Sequence, residues 1–317
     1  MKKVLTLIVL GMFVIALAPA VQAQTRVNMV LATGGTAGTY YPFGGAIAKI
    51  WNSKIPGMNV TAQATGASAE NIRLVNKKEA ELAMVQSDTA DFAYKGTEPF
   101  KEKLTKMNAL AVLYPEIIQI VVRAESGINS FADLKGKKVG AGAPGSGQLA
   151  NFRQLLEVYG MKWEDVKGQY LSYAESAEQF KDKHIDGFVV VAGVPNAAIM
   201  DIGAMHKIKI LAIPDNISSK LTQKYPFLAQ AKIPANSYKN QTEEIKSVAV
   251  NAVLIISSEI KEDVVYSLTK ALFENQTELA SAHAKGKELN LQSAVKGASI
   301  PFHPGAIKYY KEKGVMK

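Results

Sequence analysis

A glycine-rich loop near the start of the chain carries the residues best suited to binding a small molecule. It runs from Gly34 to Pro42, between an apolar strand and a predicted amphipathic helix. Glycines there allow a ligand to approach the backbone closely. Because the N-terminus of a helix carries about half a positive charge, a loop of this kind suits an anion. The candidate ligand contacts in this loop are Gly35, Thr36, Gly38, Thr39, Tyr40 and Tyr41.

The helix behind this loop is predicted to run from Pro42 to Ile55, with Tyr41 as its N-cap. Proline suits the first position of a helix, whereas tyrosine caps poorly compared with Ser, Thr, Asp or Asn. The first backbone N–H groups would then lack an internal acceptor, which a ligand can supply. A tight strand-to-helix turn without a ligand is the alternative, and the loop alone does not separate the two.

Four later loops also follow predicted strands and precede predicted helices. In an open α/β sheet such loops meet beyond the carboxyl ends of the strands, where ligands bind. Ser68 and Ser87 have a simpler interpretation as helix N-caps, which makes Gln86 the better candidate in its own loop. The candidate ligand contacts in these loops are Ser68, Asn71, Gln86, Ser87, Gly145, Ser146, Gly147, Gln148, Gly193, Val194 and Pro195.

Motifs for catalysis or cofactor binding are weak or missing. Gly140, Gly142 and Gly145 match the dinucleotide pattern G-x-G-x-x-G, but Asp165, which has the spacing of a ribose-binding acid, lies in a predicted turn. The sequence has no H-E-x-x-H, no G-x-S-x-G and no spaced histidine pair. The lack of cysteine excludes disulfides, a thiol nucleophile and cysteine-ligated zinc. We therefore predict no enzyme activity, no cofactor and no metal.

The first 23 residues predict export. Lys2 and Lys3 precede an apolar run, Val4 to Leu17, and small residues lead up to Ala23. At about 14 residues the run is shorter than the ~20 that span a bilayer, so we expect a signal peptide cleaved after Ala23 rather than an anchor, and a periplasmic protein. The formal net charge is +9, but only four basic residues are arginines and the lysines are scattered, so nucleic acid is not an expected partner.

Predicted strands, among them 27–32 and 170–173, alternate along the chain with predicted helices, among them 68–76. This order favours mostly parallel sheets covered by helices. Two long apolar runs break the alternation, at 109–123 and 248–257, and Pro115 and Glu116 interrupt the first of them. Each run is interpreted as a crossing between two domains, so that the chain leaves the first domain near residue 123 and returns near residue 247. Because two crossings form a hinge, the sequence predicts an α/β protein of two lobes around a cleft.

Several motifs resemble those of the TAXI family, the solute-binding receptors of one class of tripartite ATP-independent periplasmic (TRAP) transporters. The resemblance extends over essentially the whole mature chain. It rests on GGTAGTYYP at 34–42, ATGASAEN at 64–71, QSD at 86–88, PGSG at 144–147 and HPGAIKYY at 303–310.

The resemblance implies a type II periplasmic-binding-protein fold, in which two mostly parallel sheets flanked by helices are joined by a two-strand hinge. Lobe 1 is expected to comprise 24–119 plus 248–317, and lobe 2 to comprise 120–247. The implied function is capture of a small organic acid, such as glutamate, glutamine or a related carboxylate, for delivery to TRAP membrane subunits. We expect a monomer. A periplasmic enzyme on the same scaffold and a sensory binding protein without transport are the alternatives.

Overall fold

The computed structural model describes residues 26–97 and 99–317. The predicted signal peptide, 1–23, and its cleavage site after Ala23 lie outside the described residues. No helix within these two ranges is long and apolar enough to cross a membrane.

The described residues form ten strands and eleven α-helices. The strands are β1 Val27–Ala32, β2 Met58–Gln63, β3 Leu82–Gln86, β4 Met107–Arg123, β5 Lys138–Gly140, β6 Lys167–Gln169, β7 Gly187–Ala192, β8 Ile208–Leu211, β9 Ala229–Ile233 and β10 Ile245–Ser257. The helices are α1 Tyr40–Lys54, α2 Ser68–Asn76, α3 Ser87–Lys95, α4 Gly147–Val158, α5 Tyr173–Lys181, α6 Ala197–Met205, α7 Asp215–Lys224, α8 Glu262–Glu274, α9 Gln276–Ala282, α10 Leu291–Ala294 and α11 Pro304–Glu312. Short 3-10 helices lie at Phe131–Leu134, Trp163–Asp165 and Ala284–Lys287.

The strands form one hydrogen-bonded path in the order β2-β1-β3-β10-β4-β7-β5-β6, with β8 also paired to β4 and β9 to β10. Within it, β1 is parallel to β2 and β3, and β5 is parallel to β6 and β7. In contrast, β4 and β10 are antiparallel to each other and to their neighbours. The α/β fold class is confirmed. The expectation of two separate sheets needs correction, because β10 pairs with β3 of one parallel group, β4 pairs with β7 of the other, and β4 and β10 pair with each other.

Apolar cores flank each parallel group of strands. We call the part of the molecule that contains β1, β2 and β3 the β1–β3 half, and the part that contains β5, β6 and β7 the β5–β7 half. In the β1–β3 half, Phe43 and Trp51 of α1 belong to one core together with Tyr310 of α11. In the β5–β7 half, Phe152 of α4 and Phe188 of β7 belong to two further cores. The expected lobe boundaries after residues 119 and 247 fall inside β4 and β10, and the division into lobes at those residues stays a prediction.

Two predicted element boundaries need correction. Helix α1 begins at Tyr40 with Thr39 as its N-cap, because Thr39 already has near-helical torsion angles (φ −73°, ψ −31°). Pro42 therefore lies inside the first turn, where its missing N–H costs nothing. The strand predicted over Tyr170–Tyr173 is instead β6, three residues earlier, because Ser172 and Glu175 form a capping box that starts α5.

A buried carboxyl group joins the two halves. The Asn151 Nδ2 group of α4 donates a hydrogen bond of 2.8 Å to Asp88 Oδ2 of α3. The backbone N–H of Thr89 donates to the other carboxyl oxygen at 2.6 Å. Asp88 is fully buried, and burial raises its pKa to about 6. Above that pH the contact between the halves therefore includes a buried negative charge, which is costly even when hydrogen-bonded.

Replacing Asp88 with asparagine should remove a pH-dependent cost of folding. The folded pKa lies above the unfolded value of about 3.9, so the stability that the wild-type carboxyl provides is complete below about pH 3.9 and is lost as the pH rises through about 6. Asparagine stays neutral. Between about pH 3.5 and 7 the unfolding free energy of Asp88→Asn should therefore rise relative to wild type by up to about 3 kcal/mol.

Urea unfolding at a series of pH values measures this difference. Asp91→Asn is the matched control, because Asp91 lies in the same helix and its carboxylate pairs with the exposed Lys95 at 2.8 Å. Parallel pH profiles for wild type and Asp88→Asn would contradict the prediction.

Candidate ligand-binding site

A cavity lies between the two halves. We call it the central cavity. Five helices begin at its wall, because Tyr40 of α1, Ser68 of α2, Gly147 of α4 and Tyr173 of α5 line it together with Gln86, the N-cap of α3. The strands that precede these helices end at the same edge of the sheet, and ligands bind at this edge in open α/β folds.

The electrostatic consequence is a cavity that favours negative charge. Each helix N-terminus presents unpaired N–H groups and about half a positive charge. Helices α4 and α5 are capped by the hydroxyls of Ser146 and Ser172, which accept hydrogen bonds from Leu149 N and Glu175 N. Helices α1, α2 and α3 have no side-chain cap. In these first turns the Ala69 N–H of α2 donates to the Gly145 carbonyl and the Thr89 N–H of α3 to Asp88 Oδ1. The other first-turn N–H groups of the three helices are the ones that most need an acceptor.

Two glycines lie where loops of opposite halves meet at the cavity wall. A Cβ atom on Gly147 would overlap the Gln86 side chain, and one on Gly38 would lie 3.4 Å from the Tyr173 ring. Both residues line the central cavity. Glycine at position 147 lets the N-terminus of α4 reach α3, whereas a Cβ atom on Gly38 would make ordinary van der Waals contact with Tyr173. The close approach of the halves at α3 and α4 thus depends on the absence of a side chain at Gly147.

More than half of the predicted ligand contacts line the central cavity. They come from four of the five loops considered and from both halves of the molecule. They are Gly35, Gly38, Thr39, Tyr40, Ser68, Gln86, Ser146, Gly147 and Gln148.

The remaining candidates of the first loop and of the loop before α2 do not line the cavity. Thr36 and Tyr41 are exposed to solvent, because the earlier start of α1 turns Tyr40 inward and Tyr41 outward. Asn71 is buried, and its amide donates to the carbonyls of Thr33 and Met84, which ties α2 to the strand ends.

Five further candidates also lie outside the cavity lining. Ser87 is buried beside Gln86 but does not reach the cavity. The Gly145 carbonyl accepts a hydrogen bond of 2.9 Å from the Ala69 N–H, which joins the halves. Gly193 lies against Lys285, since a Cβ atom there would meet its side chain. The remaining two candidates of that loop, Val194 and Pro195, also lie outside the lining.

One functional side chain was missed by the sequence analysis. Glu116 of β4 lines the central cavity and is 2% exposed, and the Tyr40 hydroxyl donates a hydrogen bond of 2.9 Å to its Oε2. Burial raises its pKa to about 8. In the sequence, the sign of this residue is that Pro115 and Glu116 interrupt an apolar run, which by itself indicates only a break in that run. Among the described residues of the lining, no lysine, arginine or histidine accompanies it.

Tyr173 closes the cavity on the side of the β5–β7 half. Its hydroxyl donates to the Val191 carbonyl at 2.6 Å and accepts from the Val191 N–H at 3.2 Å. Burial and the nearby Glu116 raise its pKa, so the phenol stays neutral. Because its polar atom is bound to β7, Tyr173 presents ring surface to the cavity. A ligand therefore meets hydrogen-bonding groups at the helix ends and an apolar wall at α5.

A model of the NMT1-like family matches residues 31–314. The chain belongs to the NMT1-like family. Over 118 residues it is 30% identical to the putative aliphatic sulfonates-binding protein of Escherichia coli (strain K12), a match that spans 37% of this chain and only about a third (33%) of that relative.

Solved structures of periplasmic binding proteins share this NMT1-like chain's fold. The periplasmic aliphatic sulphonate binding protein SsuA from Escherichia coli superposes with a TM-score of 0.52 at 15% identity, over 91% of this chain and 84% of the other. The ligand binding component of an ABC-type import system from Staphylococcus aureus gives a TM-score of 0.52 at 11% identity, over 92% and 93%. The fold is that of a periplasmic solute-binding protein. The narrower assignment to the TAXI family stays a prediction.

Replacing Thr39 with valine should weaken binding of an acid such as L-glutamate. Thr39 lines the cavity, and its hydroxyl makes no capping bond to α1, so it is available to a ligand. Loss of one hydrogen bond to a charged group costs roughly 1.5–3 kcal/mol, which corresponds to about 10- to 100-fold in affinity. Isothermal titration calorimetry measures the loss.

Thr36→Val is the matched control for this experiment. The exposed Thr36 lies in the same loop but outside the cavity, so its replacement should leave the affinity unchanged. Equal effects of the two substitutions would show that the loop acts through its fold rather than through the Thr39 hydroxyl.

Proposed function

We propose that this solute-binding protein captures a small organic acid in the central cavity, with glutamate, glutamine and related carboxylates as the leading ligands. The observation that carries the proposal is the convergence of five helix N-termini on one cavity without a lysine or arginine among its described lining residues. Backbone N–H groups and hydroxyls then hold the acid. Such groups recognise carboxylate and sulfonate anions through the same chemistry.

The energies are sufficient for micromolar binding. A carboxylate at a helix N-terminus gains about 0.3–2 kcal/mol, and each hydrogen bond to a charged group adds roughly 1.5–3 kcal/mol. Three or four such bonds in a site that closes over its ligand reach the roughly −8 kcal/mol of micromolar affinity. An arginine clamp is therefore not required.

Capture depends on closure of two lobes, which we place at 24–119 plus 248–317 and at 120–247. The hydrogen bonds from Asn151 to Asp88 and from Ala69 to the Gly145 carbonyl would form on closure, because each joins the β1–β3 half to the β5–β7 half. Strands β4 and β10 act as the hinge, since both continue from one half into the other. Closure excludes water, which strengthens every polar contact to the acid.

The receptor works in the periplasm and delivers its ligand to TRAP membrane subunits. This part of the proposal is supported by the TAXI-like motifs, four of which supply lining residues from the two halves, Gly38 and Ser146 among them. An ABC importer for sulfonates is the second candidate, favoured by the name of the Escherichia coli relative. A binding role rather than catalysis is supported by Ser146 and Ser172, whose hydroxyls are engaged as helix caps.

Calorimetry on the purified mature protein tests the ligand class. The probes are L-glutamate, L-glutamine, glutarate, taurine and ethanesulfonate, with the uncharged glutaramide as the matched control. We expect about micromolar affinity for at least one acid and no measurable heat from glutaramide. A preference for glutaramide, or no binding of any acid, would overturn the proposed function.

Uptake into membrane vesicles tests the transporter type. Right-side-out vesicles from cells that produce this protein should accumulate radiolabelled L-glutamate when the purified receptor and an inward sodium or proton gradient are both supplied. Vesicles without receptor are the control. Accumulation should continue without internal ATP, because TRAP transport is driven by an ion gradient. A requirement for internal ATP would identify an ABC importer instead.

A further inference from the structure

The Glu116 carboxyl group has no place in a site that recognises acids alone. An ionised Glu116 would repel an acid that enters the central cavity, and it would compete for the positive ends of the helices. It is nevertheless buried inside the cavity with its side chain oriented by the Tyr40 hydroxyl. A buried carboxylate is costly unless a donor or a cation compensates it.

A buried acceptor without a hydrogen-bond donor among the described residues, Oε1 of Gln86, lines the same cavity as Glu116. Gln86 is 3% exposed and lines the same cavity, and its Oε1 is a buried atom that accepts no hydrogen bond from the described part of the protein. Gln86 also interacts with the Glu116 carboxyl through its side chain, which leaves its carbonyl oxygen as the free group. One wall of the cavity therefore offers two acceptors, while the helix N-termini around it offer donors.

We propose that Glu116 and Gln86 form a subsite for the ammonium group of the ligand, so that the natural substrate is an amino acid and not a simple organic acid. The inference rests on the proposed function, because it assigns the second pole of the same ligand. An ammonium group has three donors and no acceptor, which matches the unpaired Gln86 Oε1 and an ionised Glu116 carboxylate, whose oxygens can accept further hydrogen bonds beside the one from Tyr40. A zwitterionic ligand can place its ammonium group beside the ionised Glu116. Attraction between these two groups then outweighs the repulsion between Glu116 and the acid group of the ligand.

No lysine, arginine or histidine of the described lining accompanies Glu116, so the ligand is left to supply the positive charge that compensates an ionised carboxylate. The titratable groups facing it are Tyr40 of α1, Tyr114 of its own strand, Tyr173 of α5, Asp88 of α3 and Lys285 of the third 3-10 helix. Burial raises the pKa of all three tyrosines, and that of Asp88, so none of these groups adds positive charge. Lys285 is outside the described lining, and its ammonium pairs with Glu288. Its charge lowers the pKa of Glu116, but burial has the larger effect and raises that pKa.

Binding of the ammonium group has a consequence for protons. Because the pKa of Glu116 is about 8 in the ligand-free protein, most of the carboxyl groups carry a proton at pH 7. An incoming ammonium group favours the ionised form, so the proton must leave. Amino-acid affinity should therefore rise by up to about tenfold per pH unit up to about pH 8 and level off above it. One proton per ligand should be released below that pH, whereas an acid without an ammonium group should release none.

The test uses two ligand pairs that differ only in the ammonium group, L-glutamate against glutarate and taurine against ethanesulfonate. For whichever acid group binds, wild type should prefer the amino compound by at least about tenfold. Glu116→Gln should weaken the amino compound by at least about 30-fold and leave its partner within about threefold of wild type. Calorimetry in two buffers of different ionisation enthalpy should show proton release with the amino compound, and none with Glu116→Gln.

Two further variants separate recognition from folding. Glu178→Gln removes an exposed acid of α5 outside the described lining, and it should keep the wild-type preference and proton release. Tyr40→Phe removes the hydrogen bond to Glu116 while the carboxyl stays, and it should weaken the amino compounds less than Glu116→Gln does. A thermal melt confirms that each variant is folded.

Equal affinity of wild type for both members of a pair would overturn the ammonium subsite and leave the proposed function intact. Equal losses for both members in folded Glu116→Gln would do the same, because they would mark Glu116 as a structural residue. Failure of all four probes to bind wild type would instead overturn the proposed function, and the subsite with it.

Discussion

Antiparallel hydrogen bonds between β4 and β10 hold the two halves of the molecule on a common pair of strands. The pairing extends from Met107 opposite Ser257 to Ile117 opposite Ala249, and β4 then continues beside β7. Glu116 lies opposite Val250 in this ladder, at the point where β4 leaves the first half for the second. The position of its carboxyl group between the halves therefore follows from strand register, and a shift of one residue would turn the side chain to the other face of the sheet.

The parallel strands on either side of β4 and β10 determine where the helices begin. Parallel strands end at one edge of the sheet, so the helices that follow them start together, and the N-termini of α1 to α5 border the central cavity. A fold of this kind produces a positive potential without placing a lysine or arginine in the described lining. The buried Glu116 gives the opposite sign to one wall. A cavity with separated donors and acceptors is suited to a ligand that carries both charges.

Membership of the NMT1-like family and the fold of periplasmic binding proteins support the proposed solute capture, but they leave the chemistry of the ligand to the site. At 15% identity the sulphonate-binding neighbour shows the fold alone. The features that we propose select a ligand here are local. They are the uncapped ends of α1, α2 and α3, the Thr39 hydroxyl, and the pair formed by Glu116 and Gln86.

The sequence by itself determined the elements and the loops that form the site. Hydrophobic periodicity and turn residues predicted β1 and α2 with their observed bounds, and strand-end loops supplied nine lining residues, because these signals are local. Tertiary structure decided the rest. The Asn71 side chain donates to backbone carbonyls and does not line the cavity. Glu116, which the sequence showed only as a break in an apolar run, is a buried group in the cavity wall. Neither outcome is encoded locally, because each depends on strand pairing and packing between segments distant in sequence.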